Sequence, residues 1–238
     1  MTAAAFRLTD GRPRVVGSIG STPELAALRA NGARDACDVV EIRLDLLSPD
    51  DGGAGAAPWQ PWCDLPLLFT ARRIEEGGGR SLSAAQRIGL LEPVLAHAAC
   101  LDIEVASIVE MGALLEDLAS HGIPWIASFH DFVQLPTTAV LEQAARRALD
   151  AGAAAFKAAA RLQQVADLAR LAEFQLADHG LPVATMGMGP LAAVSRLLCA
   201  QCGSVLNYGY LGTTATAPGQ WDAALLKQTI ARLVPARA

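Results

Sequence analysis

Eight short apolar runs alternate with longer helical patterns from one end of this 238-residue chain to the other, and few folds accommodate that order. Repeated βα units lay parallel strands side by side and cover them with helices. The strand candidates are Arg14–Ile19, Asp38–Asp45, Leu65–Arg72, Cys100–Val105, Ile123–His130, Ala154–Ala159, Leu181–Met186 and Ser204–Tyr208. Eight such strands suggest a closed (β/α)8 barrel of the TIM type. Helical stretches lie between them, among them Thr22–Arg34, Ser83–Ala98, Thr138–Ala151, Leu162–His179 and Leu191–Cys202, with Trp221–Leu233 packing last. Several open with Ser, Thr or Pro, as helix starts tend to.

Two segments depart from the repeat. Ser48 to Asp64 is rich in Gly, Ala and Pro and carries Trp59 and Trp62, so the second outer helix is expected to be short or missing, with the tryptophans covering the barrel face in its place. The opening Phe6-Arg7-Leu8-Thr9-Asp10-Gly11-Arg12 contains an Asp-Gly turn, which suits a small hairpin plugging the barrel bottom. No internal linker divides the chain, and 52% hydrophobic residues can fill one large core, so residues 1–238 are expected to form one domain.

The net charge of −5 includes no basic block, which argues against a general nucleic-acid surface. An anionic substrate would have to be held by individually placed arginines. No apolar stretch is long enough to span a bilayer, and Met1 to Arg7 lacks a signal-peptide layout, so a soluble, cytoplasmic protein is expected. Cys37, Cys63, Cys100, Cys199 and Cys202 form no closely spaced framework, which fits reduced thiols. Cys199 and Cys202 make a lone CxxC at the end of an apolar helix, better explained by burial than by zinc.

Lys157 is one of only two lysines, and it lies in the apolar run Ala153-Ala154-Ala155-Phe156-Lys157-Ala158-Ala159-Ala160. Burial disfavours an ammonium, and the neutral amine that results can attack a carbonyl to form a Schiff base. A strand-end lysine reaching out to solvent is the plainer reading. In a (β/α)8 barrel the chemistry sits at the C-terminal strand ends, where this chain collects polar residues. Ser18 ends the first strand, Glu41, Arg43 and Asp45 alternate along the second, and Thr70 and Arg72 end the third. Period-two spacing points Glu41, Arg43 and Asp45 to one face, the barrel interior, although a structural ion-pair network would read the same. Arg73-Ile74-Glu75-Glu76-Gly77-Gly78-Gly79-Arg80 is a turn whose glycines would let backbone approach a small ligand while Glu76 points inward. His130 ends the fifth strand beside the one carrying Lys157, a natural acid/base partner for the amine. Ser195-Arg196 lies in a helix start, and Gly209 to Gln220 reads as a lid with Thr216 and Gln220 as its polar contacts.

Taken together, these residues resemble the type I 3-dehydroquinate dehydratases, the Schiff-base-forming class. The resemblance spans almost the whole chain. It rests on Glu41-Ile42-Arg43-Leu44-Asp45, Phe69-Thr70-Ala71-Arg72 followed by Glu76-Gly77-Gly78, His130-Asp131-Phe132, Phe156-Lys157, Met186 with Ser195-Arg196, and Ala217-Pro218-Gly219-Gln220. It implies syn dehydration of 3-dehydroquinate to 3-dehydroshikimate in the shikimate or quinate pathway, the former leading to aromatic amino acids, with no metal or cofactor and a homodimeric assembly. Lys157 would condense with the ring ketone, His130 would act as general base and then acid, and Glu76 would orient the ring. Arg196 would clamp the substrate carboxylate, and Ser18, Glu41, Arg43, Arg72, Thr216 and Gln220 would line the substrate site.

Two positions depart from many relatives. Thr216 stands where Ser is common in the lid, and Gly187-Met188-Gly189-Pro190-Leu191-Ala192-Ala193-Val194 lacks a Lys-Glu-Gly found elsewhere, so a polar lid contact from that loop is not expected. A class I aldolase would share the barrel lysine but needs a phosphate nest near the last strands. A non-catalytic metabolite sensor on the same barrel would have no use for both Lys157 and His130.

Overall fold

The apolar runs become strands, and their alternation decides what faces inward. The computed structural model describes residues 8, 12–27, 30–47, 59–62 and 65–233. Its strands are β1 (Arg14–Ile19), β2 (Val39–Arg43), β3 (Leu67–Thr70), β4 (Cys100–Glu104), β5 (Trp125–Asp131), β6 (Ala155–Arg161), β7 (Val183–Met188) and β8 (Leu206–Tyr210). Each of the eight expected strands is present, with its ends within two residues of expectation. From β1 to β7 each strand pairs in parallel with the next, and β8 returns to β1. The Val205 N–H donates to the Val183 carbonyl at 3.1 Å across the remaining seam. The sheet thus curls into a (β/α)8 barrel.

A two-residue strand, β9 (Trp221–Asp222), lies parallel to the end of β8. The last helix therefore starts later than expected, at α8 (Ala223–Ile230), because the Asp222 carboxylate accepts from the Leu225 N–H and caps it there. At Gly209 an added Cβ would lie 2.6 Å from the Ala223 Cα. Gly209→Ala is therefore expected to push α8 off the barrel at a cost of about 1–3 kcal/mol, visible as a lower urea midpoint.

The other helices differ from expectation for local reasons. The expected Thr22–Arg34 is described as α1 (Thr22–Ala27) and α2 (Ala30–Ala36), residues 28 and 29 lying outside the described set. Ser83 opens α3 (Ala84–Leu91) with a capping box to Gln86. The expected helix then gives way to a 3-10 turn over Glu92–His97, since Pro93 has no N–H for the α ladder. Not anticipated was α4 (Gly112–His121), stopped by Gly122 at φ 65°. The series closes with α5 (Thr138–Asp150), α6 (Val165–Leu176) and α7 (Ala192–Gln201).

Trp62 is fully buried, and Trp59 meets the outward ring of Phe69 edge-on at 5.4 Å. The tryptophans thus pack on the outer face of β3. Most of the segment from Ser48 to Asp64, including Cys63, lies outside the described residues, as does most of the expected N-terminal hairpin. Of that hairpin Leu8 is described, buried against the barrel's inner apolar cluster.

Inside the barrel, register pairs near the bottom are apolar: Val16 with Val39, Leu68 with Cys100, Ile126 with Ala155. Two residues further along each strand the same face turns polar: Ser18 with Glu41, Thr70 with Asp102, Ser128 with Lys157. A dry floor therefore carries a buried polar layer at the end of the barrel where its strands point.

Candidate active site

The polar layer opens into a cavity lined by Ser18, Glu41, Arg43, Arg72, Glu76, His130, Lys157, Arg196, Thr216 and Gln220, so all ten expected site residues meet there. Phe132, Met186, Met188 and Tyr208 supply apolar wall. Among the described residues no group of three or more His, Cys, Asp or Glu side chains is placed to hold a metal ion.

Lys157 occupies the middle of β6 and is 5% exposed, so it does not reach out to solvent from a strand end. Its Nζ donates to Asp102 Oδ2 at 3.0 Å and sits 4.1 Å from the centre of the Tyr208 ring. Burial lowers the amine's proton affinity and outweighs the opposing pull of Asp102, with Arg72 lowering it further. Asp102 is fully committed to anionic form. Despite its burial, Arg72 at 2.8 Å and Lys157 hold its pKa far below the usual carboxylate range, and the Ser128 hydroxyl also donates to it.

His130 follows from β5 on the adjacent strand. Glu76 Oε2 accepts from both the His130 backbone N–H and Nδ1, each at 2.9 Å. With Nδ1 donating to Glu76, Nε2 carries the lone pair. Burial and the nearby Arg72 and Lys157 push the imidazole's pKa well down, so the ring is neutral near pH 7. Burial raises the Glu76 carboxyl to about 7, against the opposing influence of Arg72.

The turn that carries Glu76 is shaped by its glycines, and Gly77 also lines the cavity. Gly77 has φ 88° and its face abuts the Phe132 ring, while a side chain on Gly78 would collide with the Arg72 carbonyl. The Gly79 N–H donates to Asp45 at 2.9 Å. Asp45 in turn takes both Arg43 Nε and Nη2, at 2.9 and 2.7 Å, and Arg43 also donates to the Gly77 carbonyl at 3.1 Å. Within the triplet Glu41, Arg43 and Asp45, the last is therefore a clamp past the end of β2 that fixes Arg43 and the turn. Glu41 accepts from the Ser18 and Thr70 hydroxyls.

Arg196, on α7, is 2% exposed and faces no carboxylate among the described residues. One guanidinium nitrogen donates to the Tyr208 carbonyl at 2.6 Å, and Nε has no partner among the described residues. Burial lowers its pKa to about 10. Ser195 does not face the cavity with it: its hydroxyl accepts from the Gly187 N–H and braces β7 against α7. Gln220 joins the two sides of the mouth. Its Oε1 accepts from the Thr216 N–H and hydroxyl at 2.9 Å, and its amide reaches the Ser18 hydroxyl at 3.4 Å. The expected lid is shorter than Gly209 to Gln220, because Gly209 and Tyr210 belong to β8.

The chain that folds this site matches a family along nearly its whole length: the sequence model of the type I 3-dehydroquinases fits residues 18–233. The chain belongs to the type I 3-dehydroquinase family. A 3-dehydroquinate dehydratase of Methanocella arvoryzae is 32% identical over 211 residues, covering 89% of this chain and 92% of the relative. One from Bacillus licheniformis is 34% identical over 242 residues, covering 94% and 93%. The fold is likewise that of solved 3-dehydroquinate dehydratases. The Geobacillus kaustophilus structure superposes with a TM-score of 0.81 at 23% identity, over 92% of this chain and 90% of that one. The Aquifex aeolicus structure does so with a TM-score of 0.76 at 24% identity, over 92% and 99%.

Sequence reasoning missed Asp102 and Glu104, which the structure joins to Arg72. The signal was present: Cys100-Leu101-Asp102-Ile103-Glu104 places two carboxylates on alternate positions of an apolar strand. Tyr208, whose ring lies under the lysine amine, gave no such sign.

Proposed function

We propose that this dehydroquinase dehydrates 3-dehydroquinate to 3-dehydroshikimate through a Schiff base on Lys157. The observation that carries the reading is a buried amine with weakened proton affinity in the same cavity as a neutral imidazole. The Lys157 amine adds to the ring ketone and water leaves, forming an imine whose protonated form draws electrons from the neighbouring carbon. His130 Nε2 removes the proton from that carbon, a double bond forms, and the departing hydroxyl takes the proton from His130 and leaves as water. Hydrolysis of the imine returns the ketone to the product and the amine to Lys157. Glu76 holds the imidazole in the required tautomer.

Arg196 provides the cation for the substrate carboxylate, since no anion among the described residues already occupies it. Glu41, Arg43, Arg72 and Ser18 face the ring hydroxyls, and Thr216 and Gln220 close over them. We assign residues 1–238 to one catalytic domain acting as a cytoplasmic homodimer without metal or cofactor, in the shikimate or quinate pathway. Among the described residues no helix is long and apolar enough to cross a membrane.

Borohydride reduction in the presence of 3-dehydroquinate, followed by peptide mapping, tests the reading. A stable adduct on Lys157 supports it; an unmodified protein that still turns over substrate rejects it. Arg196→Met is expected to raise KM about 10- to 100-fold with a smaller change in kcat, corresponding to roughly 1.5–3 kcal/mol for a charge-assisted hydrogen bond. Steady-state kinetics of the purified variant checks this.

A further inference from the structure

A line of alternating charge leads from the Lys157 amine through the barrel wall to the surface. Lys157 donates to Asp102 Oδ2 at 3.0 Å, and Arg72 meets Asp102 Oδ1 at 2.8 Å. The same Arg72 nitrogen is 3.1 Å from Glu104 Oε1, while Glu104 Oε2 takes Arg87 at 2.8 Å. Arg87 finally pairs with Glu110, whose side chain is 41% exposed. The first five members are each at most 5% exposed.

Arg87 belongs to α3 and, like Glu104, does not line the cavity. A guanidinium buried among helix-packing residues is expensive, and an apolar side chain of similar volume often serves stability as well. Glu104 is also tied into the wall by the Ser107 hydroxyl and the Arg73 N–H. The geometry is one of competition at each step. Lys157 and Arg72 compete for Asp102, Asp102 and Glu104 for Arg72, and Arg72 and Arg87 for Glu104.

From this ladder we infer that Arg87 and Glu104 are positioning residues that set how firmly Asp102 holds the lysine ammonium, acting through Arg72. The inference rests on the Schiff-base reading, in which only the free amine attacks. Without the charge of Arg87, Glu104 holds Arg72 more tightly, Arg72 releases Asp102, and Asp102 turns to the ammonium. Without the charge of Glu104 the order reverses, and Arg72 draws Asp102 away from Lys157. Among the described residues, the other charged or titratable groups facing Lys157 or its cavity are Glu41 and Arg43 from β2, Glu76 from the turn after β3, His130 from β5, Arg196 from α7 and Tyr208 from β8, and none of them is a hydrogen-bond partner of Arg87. Arg87 itself faces Glu104 and Glu110, with Glu75 nearby.

The test is the pH dependence of the rate at which the full chain forms the borohydride-trapped adduct with 3-dehydroquinate. Wild type is compared with Arg87→Met, Arg87→Lys, Glu104→Gln and the surface variant Glu110→Gln, each checked for folding by circular dichroism. The acid limb is expected to move up by about half a pH unit or more in Arg87→Met and down by as much in Glu104→Gln. It stays in place in Arg87→Lys, which keeps the charge, and moves slightly down in Glu110→Gln, which spares the interior. Limbs of folded Arg87→Met and Glu104→Gln that coincide with wild type overturn the inference, even if overall rates fall, because loss without displacement is what a purely structural role produces. Should wild type form no adduct at any pH, the Schiff-base reading itself fails, and the inference with it.

Discussion

Lys157→Ala is expected to lower kcat by about 10⁴-fold or more while the protein still binds substrate. The loss is large because the other lysine cannot take over. The second lysine, Lys227, lies on α8, where it pairs with Asp38 at 2.9 Å and donates to the Arg34 and Cys37 carbonyls at 3.0 Å. Binding survives because Arg196, on α7, is fixed by the Tyr208 carbonyl independently of the lysine. The fold survives because Asp102, deprived of Lys157, keeps Arg72 and Ser128. Calorimetric titration of the variant with 3-dehydroquinate, beside a turnover assay, separates the two effects. Full activity in the variant would end the covalent mechanism, and loss of binding together with activity would indicate that the cavity itself had collapsed.

His130→Ala is expected to lower kcat by about 10²- to 10⁴-fold, the range for a removed general acid–base. Unlike the lysine variant, it should accumulate covalent adduct, since the amine and its partner Asp102 remain while proton abstraction stalls. The imidazole's low pKa in the protein also fixes a sign: the base is already deprotonated at neutral pH, so its own titration gives no loss of activity between pH 7 and 8. Intact-mass spectra after borohydride treatment during turnover check the prediction. A variant that turns over at the wild-type rate with no accumulated adduct would remove His130 from the proton transfers.

Much of the site was legible before any coordinates. An isolated lysine in an alanine-rich strand is conspicuous because burial there is costly, and alternation along Glu41-Ile42-Arg43 shows that two charges share a face with period two. Other features were only partly legible, for identifiable reasons. The glycines after Glu76 do bring backbone to the cavity, at Gly77, but Gly78 serves the close approach of its own chain to the Arg72 carbonyl, which no local pattern reveals. The boundary of α8 was misplaced because Trp221 and Asp222 become a strand by pairing with β8, more than ten residues earlier in the chain.

The chain alone determines which residues are strands and which of their side chains face inward, because both follow from a two-residue period and from the cost of leaving apolar groups in water. Its motifs in order also determine the family. Which inward charges meet is settled only by the tertiary structure. The curl of the sheet sets Thr70 beside Asp102 and Ser128 beside Lys157, and packing of α3 on the wall adds Arg87 to the line. The state of the amine depends on that arrangement and on the exclusion of water around it, since desolvation and nearby charge are properties of surroundings assembled from residues distant in sequence.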